Sequence, residues 1–443
     1  MPRRIDKRQA DSRYERGVTM LIVVVAIAVL TAVATEFAYN SRVDLQLAAN
    51  QRDEVRAYFL ARSGIGLSRL LLRFQKQVDN IQIPNIGALL SSLTGSSSTT
   101  GKSSPSTGAG TQQPSTGLNI QLWKLARIDC QMLQMMVKAP FGIEKAVKSP
   151  APVRGTDDQE VASRMATRSF GGFNGCFLAT LGDEEEKLNV NKLNGLQFAS
   201  QASVARLLDL LGDKRFEFVF DREDANRVKV TPQDVVIAMR DWIDEDETQS
   251  ALNLTGQGDP FVKGFSDENS LYDRYVPRYR AKNAAMDTLD ELYMVNGVSD
   301  RFMAAFKDRL TVYTDINSKL NINTDDPLLL RLAILSMVDP TKMPPQLADP
   351  YFMEDLIRRI RAARLMPGMG MSVSDFGALL QLAGVPVNAS ITANVQGNRL
   401  VSDKTSTFSI KSVGEAGTVQ KTIEAVIRMD DQGLGRLVYW RES

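Results

Sequence analysis

The 443-residue sequence contains no histidine. That absence removes Ser-His and Cys-His nucleophilic pairs and every metal site that needs an imidazole. Ser-Lys dyads and paired carboxylates remain formally open, but no nucleophile motif accompanies them, so the chain reads as a non-enzyme. Cysteine is almost missing as well. Cys130 and Cys176 are the only two, and an oxidising compartment would either join them in a disulfide or leave two buried thiols. Net charge is the third absence. With 53 basic against 52 acidic side chains the formal balance is +1, so no global field draws nucleic acid or acidic substrates.

What is there begins with a single long apolar run. From Gly17 to Thr35 the chain has 19 uncharged residues, close to the roughly 20 that a helix needs to cross a bilayer. Before it, Arg3, Arg4, Lys7, Arg8, Arg13 and Arg16 outnumber Asp6, Asp11 and Glu15, and such a bias keeps the N-terminal side in the cytoplasm. Beyond Thr35, Phe37, Val43, Leu47, Val55, Phe59 and Leu67 recur at near-helical spacing, and no proline interrupts residues 18–77. The pattern predicts one long helix over 18–77, with a membrane part at 18–35 and an amphipathic remainder.

A basic leader ending in glycine, an uncut apolar stretch and an amphipathic helix together resemble the class III leader of type IV pilins and type II secretion pseudopilins. The resemblance implies cleavage by prepilin peptidase between Gly17 and Val18, methylation of the new N-terminus and retention of the apolar helix. Most of that superfamily carries glutamate at the fifth mature residue. Here that residue is Ile22, a departure shared by the general secretion pathway protein K family, the minor pseudopilin K of type II secretion. On the apolar segment alone, a signal anchor that no prepilin peptidase touches is the plainer alternative.

Downstream, composition is that of a folded protein, 43% hydrophobic and 24% charged. Residues 91–117 are dominated by Ser, Thr and Gly and read as a flexible insert. Helical spacing resumes over 121–137 through Leu122, Leu125, Ile128, Met132, Met135 and Met136. Cys176–Leu181, the acidic turn Gly182–Glu186 and Lys187–Asn191 predict a hairpin. The Lys-Leu-Asn-Val-Asn at 187–191 returns as Lys-Leu-Asn-Ile-Asn at 319–323, each copy preceding a helical segment, 203–211 and 327–337. This looks like a duplicated helical unit. Further short helices are expected at 232–242, 288–295, 300–310, 354–365 and 373–382. Residues 391–395, 407–410, 422–429 and 436–440 alternate like strands.

Two stretches invite a chemical reading. Residues 287–300 have the form of helix, glycine turn and helix, similar to DNA-gripping helix-hairpin-helix modules, but Asp287, Asp290, Glu291 and Asp300 stand where a phosphate grip wants basic residues. Asp241-Trp-Ile-Asp-Glu-Asp-Glu247 packs carboxylates that repel unless a cation neutralises them, and oxygen clusters of this kind suit calcium. The EF-hand glycine and glutamate positions are missing. Asp241, Asp244, Asp246 and Asp267 are the candidate ligands, against a plain solvated acidic loop. The order Asp-Trp-x-Asp-x-Asp at 241–246, Gly264-x-x-Asp267, Tyr279-Arg280-x-x-Asn283, Glu291-Leu292 and Asn321-x-Asn-Thr324 is similar to that of the protein K family.

The resemblance therefore implies an α+β fold. A basic leader (1–17) and long N-terminal helix (18–77) are followed by the first part of a pilin-like α/β domain with an antiparallel sheet (78–194). An inserted all-helical domain of two related, SAM-like or helix-hairpin-helix-like units (195–385) and strands that complete the sheet (386–443) come next. It implies a minor pseudopilin that caps the pseudopilus tip. Its partners would be the I and J minor pseudopilins, the major pseudopilin, the inner-membrane assembly platform, prepilin peptidase and secreted substrates. The chain would sit in a bacterial inner membrane as a single-pass protein with a periplasmic globular part. A competence-type minor pilin or a membrane-anchored DNA-binding adaptor is the alternative.

Overall fold

A computed structural model describes residues 7–80, 119–125, 128–130, 169–170, 173–221, 223, 229–253, 258–364, 368–388, 400–430 and 433–443. The insert at 91–117, the methionines at 132–136, the strand expected at 391–395 and residues 1–6 of the leader lie outside them.

Helix α1 runs unbroken from Lys7 to Asn80, 74 residues, or about 110 Å at the standard rise. Its apolar stretch is exposed among the described residues: Met20, Leu21 and Leu30 are 72%, 65% and 68% exposed. It is long and apolar enough to cross a membrane, where a helix satisfies every backbone group internally. From Ala57 onward the exposure becomes one-sided. Ala57, Leu60, Ala61, Ile65, Ser68 and Leu72 are buried at three- and four-residue spacing, one stripe on one face.

That stripe packs on an antiparallel sheet. The strands are β1 (Ile128–Asp129), β2 (Cys176–Asp183), β9 (Thr407–Ala416), β10 (Val419–Arg428) and β11 (Arg436–Glu442), in the order β11-β10-β9-β2-β1. Phe408, Ile410, Ile423, Ala425 and Ile427 alternate inward to meet Ala61, Ile65 and Leu72. The helix lies unusually close, because the contacting residues are small. A Cβ on Gly414 would stand 2.5 Å from the Ala61 nitrogen and closer still to the Ala57 carbonyl oxygen, and one on Gly64 would strike the Ser412 hydroxyl. Cys130, just past β1, is disulfide-bonded to Cys176 at the start of β2, with Cα atoms 5.6 Å apart.

Two sequence expectations fail here. In the described part of 121–137 the expected helix is interrupted: Leu122–Leu125 is helical, β1 occupies Ile128–Asp129, and Cys130 is helical again. The expected hairpin is also absent: β2 pairs with β9 and β1, whereas β3 (Leu188–Asn189) runs parallel to β6 (Leu310–Thr311). The acidic turn between them is buried, and hydrogen-bond donors hold it away from a hairpin. Asp183 accepts from the Glu185 N–H at 2.7 Å, from Asn321 Nδ2 at 2.6 Å and from the Thr405 hydroxyl. Glu184 accepts from Thr311 Oγ1 and Lys187 Nζ, both at 2.6 Å, and Glu185 from Ser406 Oγ at 2.5 Å. Burial raises the pKa of Asp183 well above the carboxylate range and raises that of Glu185.

The helical region contains α2 (Gln197–Leu211), α3 (Pro232–Ile243), α4 (Asp300–Phe306), α5 (Pro327–Met337), α6 (Pro350–Ala363) and α7 (Val373–Leu382). They share one core that includes Leu207, Leu211, Val236, Met239, Phe302, Phe306, Leu330, Ile334, Ile360 and Phe376. Segments 288–295 and 300–310 are tighter than expected, forming 3₁₀ turns at Leu289–Met294 and Lys307–Arg309 around α4. The two Lys-Leu-Asn-x-Asn copies fold alike. Each places a short strand in a parallel pair, β3 with β6 and β7 (Leu320–Asn321) with β8 (Val401–Ser402). In each the first asparagine accepts the N–H of the second at 2.9 Å. The second then clamps a methionine backbone from both sides. Asn191 accepts from the Met286 N–H at 2.8 Å and donates to its carbonyl at 3.0 Å; Asn323 does the same with Met371 at 2.7 and 3.1 Å.

Candidate metal centre

Helix α3 opens with a reciprocal cap between Thr231 and Asp234 and a proline in its first turn. It buries Val235, Val236, Met239, Trp242 and Ile243, which turns Asp241 and the C-terminal Asp244 inward as well. The chain then forms the hairpin β4 (Thr248–Leu252) and β5 (Phe261–Asp267), antiparallel with one irregularity. A 3₁₀ turn starting at Glu268 closes the arrangement.

Asp241, Asp244 and Glu268 each offer one carboxylate oxygen, and these oxygens all lie within 4.8 Å of one another. The three residues are 1%, 4% and 0% exposed. Asp241 Oδ1 accepts the Ser250 N–H at 2.8 Å, and Asp244 Oδ2 stands 3.2 Å from Arg240 Nε. Asp241 Oδ2, Asp244 Oδ1 and both Glu268 oxygens are buried with no hydrogen-bond partner. Leaving such groups unmatched costs several kcal/mol each, so the cluster has unfilled capacity for positive charge. Burial, with Asp244 and Asp241 adding repulsion, pushes Glu268 up to about 8; burial pushes Asp241 up to about 6 and also raises Asp244.

Oxygen-only donors about two Ca–O bond lengths apart fit a hard divalent cation at roughly 2.3–2.6 Å. Asn283 adjoins the cluster in the left-handed region (φ 52°), its Nδ2 donating to the Asp246 carbonyl at 3.0 Å and its Oδ1 buried without a partner. A wall of aromatic rings backs the site. Trp242 meets Tyr272 with centroids 5.7 Å apart, and Tyr272 meets Tyr279 at 5.1 Å. Tyr272 is wholly buried.

The candidate ligands are therefore half rearranged. Asp241 and Asp244 point into the cluster. Asp246 and Asp267 are exposed and serve as local caps, each accepting at 2.9 Å a backbone N–H two residues ahead, from Thr248 and Asn269. Glu268 takes their place. Its adjacency to Asp267 gave no cue, because which of two neighbouring carboxylates turns inward depends on the end of β5. The helix-hairpin-helix segment shows no phosphate grip. Gly297 does turn with φ +84°, yet Asp287 and Glu291 pair with Lys282 at 2.7 and 2.8 Å, and Asp290 with Lys307 and Arg441 at 3.4 and 3.3 Å. Of the remaining site residues, Val18 and Ile22 are exposed on α1, which runs through Gly17 without a break.

Fold and stem define an α+β protein built on one long N-terminal helix suited to single-pass membrane anchoring. No family model matches the sequence, and no curated protein matches it. Among solved structures, the chain is similar to one in the GspK-GspI-GspJ complex of the type 2 secretion system from enterotoxigenic Escherichia coli. Identity is 18%, coverage is 62% of this chain and 82% of that one, and the TM-score is 0.43.

Proposed function

We propose that this chain is a minor pseudopilin of the K type, capping the tip of a type II secretion pseudopilus and supporting export of folded proteins. The observation that carries the reading is α1: one helix leads from an exposed apolar stretch directly into the buried stripe that anchors the sheet. After a cut between Gly17 and Val18 the apolar part would remain attached to the globular domain and enter a fibre core by helix packing. Ile22 brings no carboxylate to the neighbouring N-terminus, so no further subunit is favoured above this one. The bulk of the helical region then closes the end. The I and J minor pseudopilins, the major pseudopilin and the assembly platform are the proposed partners, with the globular part in the periplasm.

Asp241, Asp244 and Glu268, with Asn283 beside them, would hold a calcium ion, whose charge would neutralise the carboxylates and tie the end of α3 to the 3₁₀ turn after β5. Mass spectrometry of the native protein tests the main reading. A methylated N-terminal Val18 is expected; a chain starting at Met1, or beyond residue 34, overturns it.

A further inference from the structure

β11 is an edge strand of the sheet. Thr422 and Ser443 exchange both backbone hydrogen bonds at 2.9 Å. By the alternation of an antiparallel ladder, the N–H and C=O groups of Trp440 and Glu442, paired with Ala425 and Ile423, therefore point away from β10. An open edge of this kind is a template for an added strand.

Helix α1 supplies a shelf beside that edge. Tyr58 donates to Glu442 Oε1 at 3.3 Å, while Arg69 donates to the Leu434 and Gly435 carbonyls, both at 2.9 Å. The helix thus runs antiparallel along β11. Next to these contacts Val55, Phe59 and Leu70 are each 56% exposed, and Leu437 on β11 is 48% exposed. Between them a Cβ on Gly66 would meet nothing within 4 Å. A groove of about 570 Å³ opens at this corner, lined by Val55, Tyr58, Phe59, Ile423 and Glu442 among others.

The charge of the ledge selects its occupant. Arg62 and Arg73 lie one turn beyond Tyr58 and Arg69 on the same helical face, and Arg436 begins β11. All three are exposed and have no ion-pair partner among the described residues. The nearby carboxylates are engaged, Glu54 with Lys421 at 3.0 Å and Glu442 with the Trp440 indole N–H at 2.7 Å. A second copy pairing edge to edge would set arginine against arginine.

We propose that β11 and the adjoining flank of α1 form a docking ledge for an extended, acidic edge strand of another folded protein. Main-chain bonds to Trp440 and Glu442 would give register, alternate apolar side chains would lie on Val55, Phe59 and Leu70, and carboxylates would meet Arg62, Arg73 and Arg436. The test is fluorescence anisotropy with the full chain in detergent and a labelled eight-residue peptide alternating valine and glutamate. Binding is expected, weakened at least tenfold by a central proline in the peptide and by the double variant Arg62→Glu, Arg436→Glu. That variant, with an unchanged circular dichroism spectrum, should instead favour a valine and lysine peptide. No binding, or equal binding of the proline-interrupted peptide, overturns the proposal. So does sedimentation of the chain as a dimer that the double variant disrupts, which would assign the edge to a second copy. None of these outcomes touches the N-terminal processing on which the secretion reading stands.

Discussion

Replacing Glu268 by glutamine should strengthen the ion-free protein while removing its response to calcium. The carboxyl is wholly buried, both oxygens lack partners, and its pKa is pushed from 4.5 to about 8. At pH 7 without an ion the group must be held neutral, which costs about 1.36 kcal/mol per unit between its ordinary pKa and the ambient pH, or roughly 3 kcal/mol. A glutamine bears no such cost. For a unit of 150–250 residues, about 2–4 °C per kcal/mol, the variant should melt roughly 6–12 °C above the parent in chelator. Calcium at about a hundred times its dissociation constant should stabilise the parent by about 2.7 kcal/mol and the variant negligibly. The pH dependence follows from the upward shift: the relative stability is full below 4.5 and lost as pH rises towards about 8, so the ion-free parent should gain on acidification and the variant should lose most of that gain. Differential scanning calorimetry on the full chain in detergent, with and without calcium, measures all three. A variant that melts lower than the parent in chelator, together with a parent indifferent to calcium, would refute the reasoning.

Gly414→Val should displace α1 from the sheet, because its side chain meets the Ala57 and Ala61 backbone; a loss of 3 kcal/mol or more is expected from overpacking at a site that cannot yield, read by urea denaturation. Replacing Cys130 and Cys176 with serine opens a link between residues 46 apart and should cost about 4 kcal/mol on the loop-entropy scale, seen as a lower melting temperature that reductant reproduces in the parent. If the proposed pseudopilin reading holds, Ile22→Glu should change pseudopilus length or number in cells without altering the melting of the globular part; unchanged fibres and unchanged secretion would remove the role proposed for that position.

The parts legible in the sequence are those whose signal is local and periodic. The uncharged run from Gly17 to Thr35 and the proline-free stretch behind it foretold α1, though not its reach from Lys7 to Asn80. Alternation over 407–410, 422–429 and 436–440 foretold β9, β10 and β11, and the repeated Lys-Leu-Asn-x-Asn foretold two corresponding segments. The hairpin after Cys176 was misread because the partners that hold the acidic turn are remote: Asn321 lies 138 residues beyond Asp183, and Thr311 lies 127 beyond Glu184. No pattern of period two or 3.6 records such a bond.

The same division applies to the candidate site. Charge density between Asp241 and Glu247 marked the neighbourhood, since like charges at that spacing need compensation wherever the chain goes. Which carboxylates converge was a tertiary decision. Asp246 and Asp267 are spent on backbone N–H groups two residues ahead, and Glu268 is brought in by the end of a strand whose register is set against β4. Composition and periodicity thus determined a long apolar stem, a sheet and a helical body, because those follow from where apolar side chains recur. Convergence of Glu268 on Asp241 and Asp244, and the open edge of β11, follow from strand pairing across long separations, and that energy exists only in the folded chain.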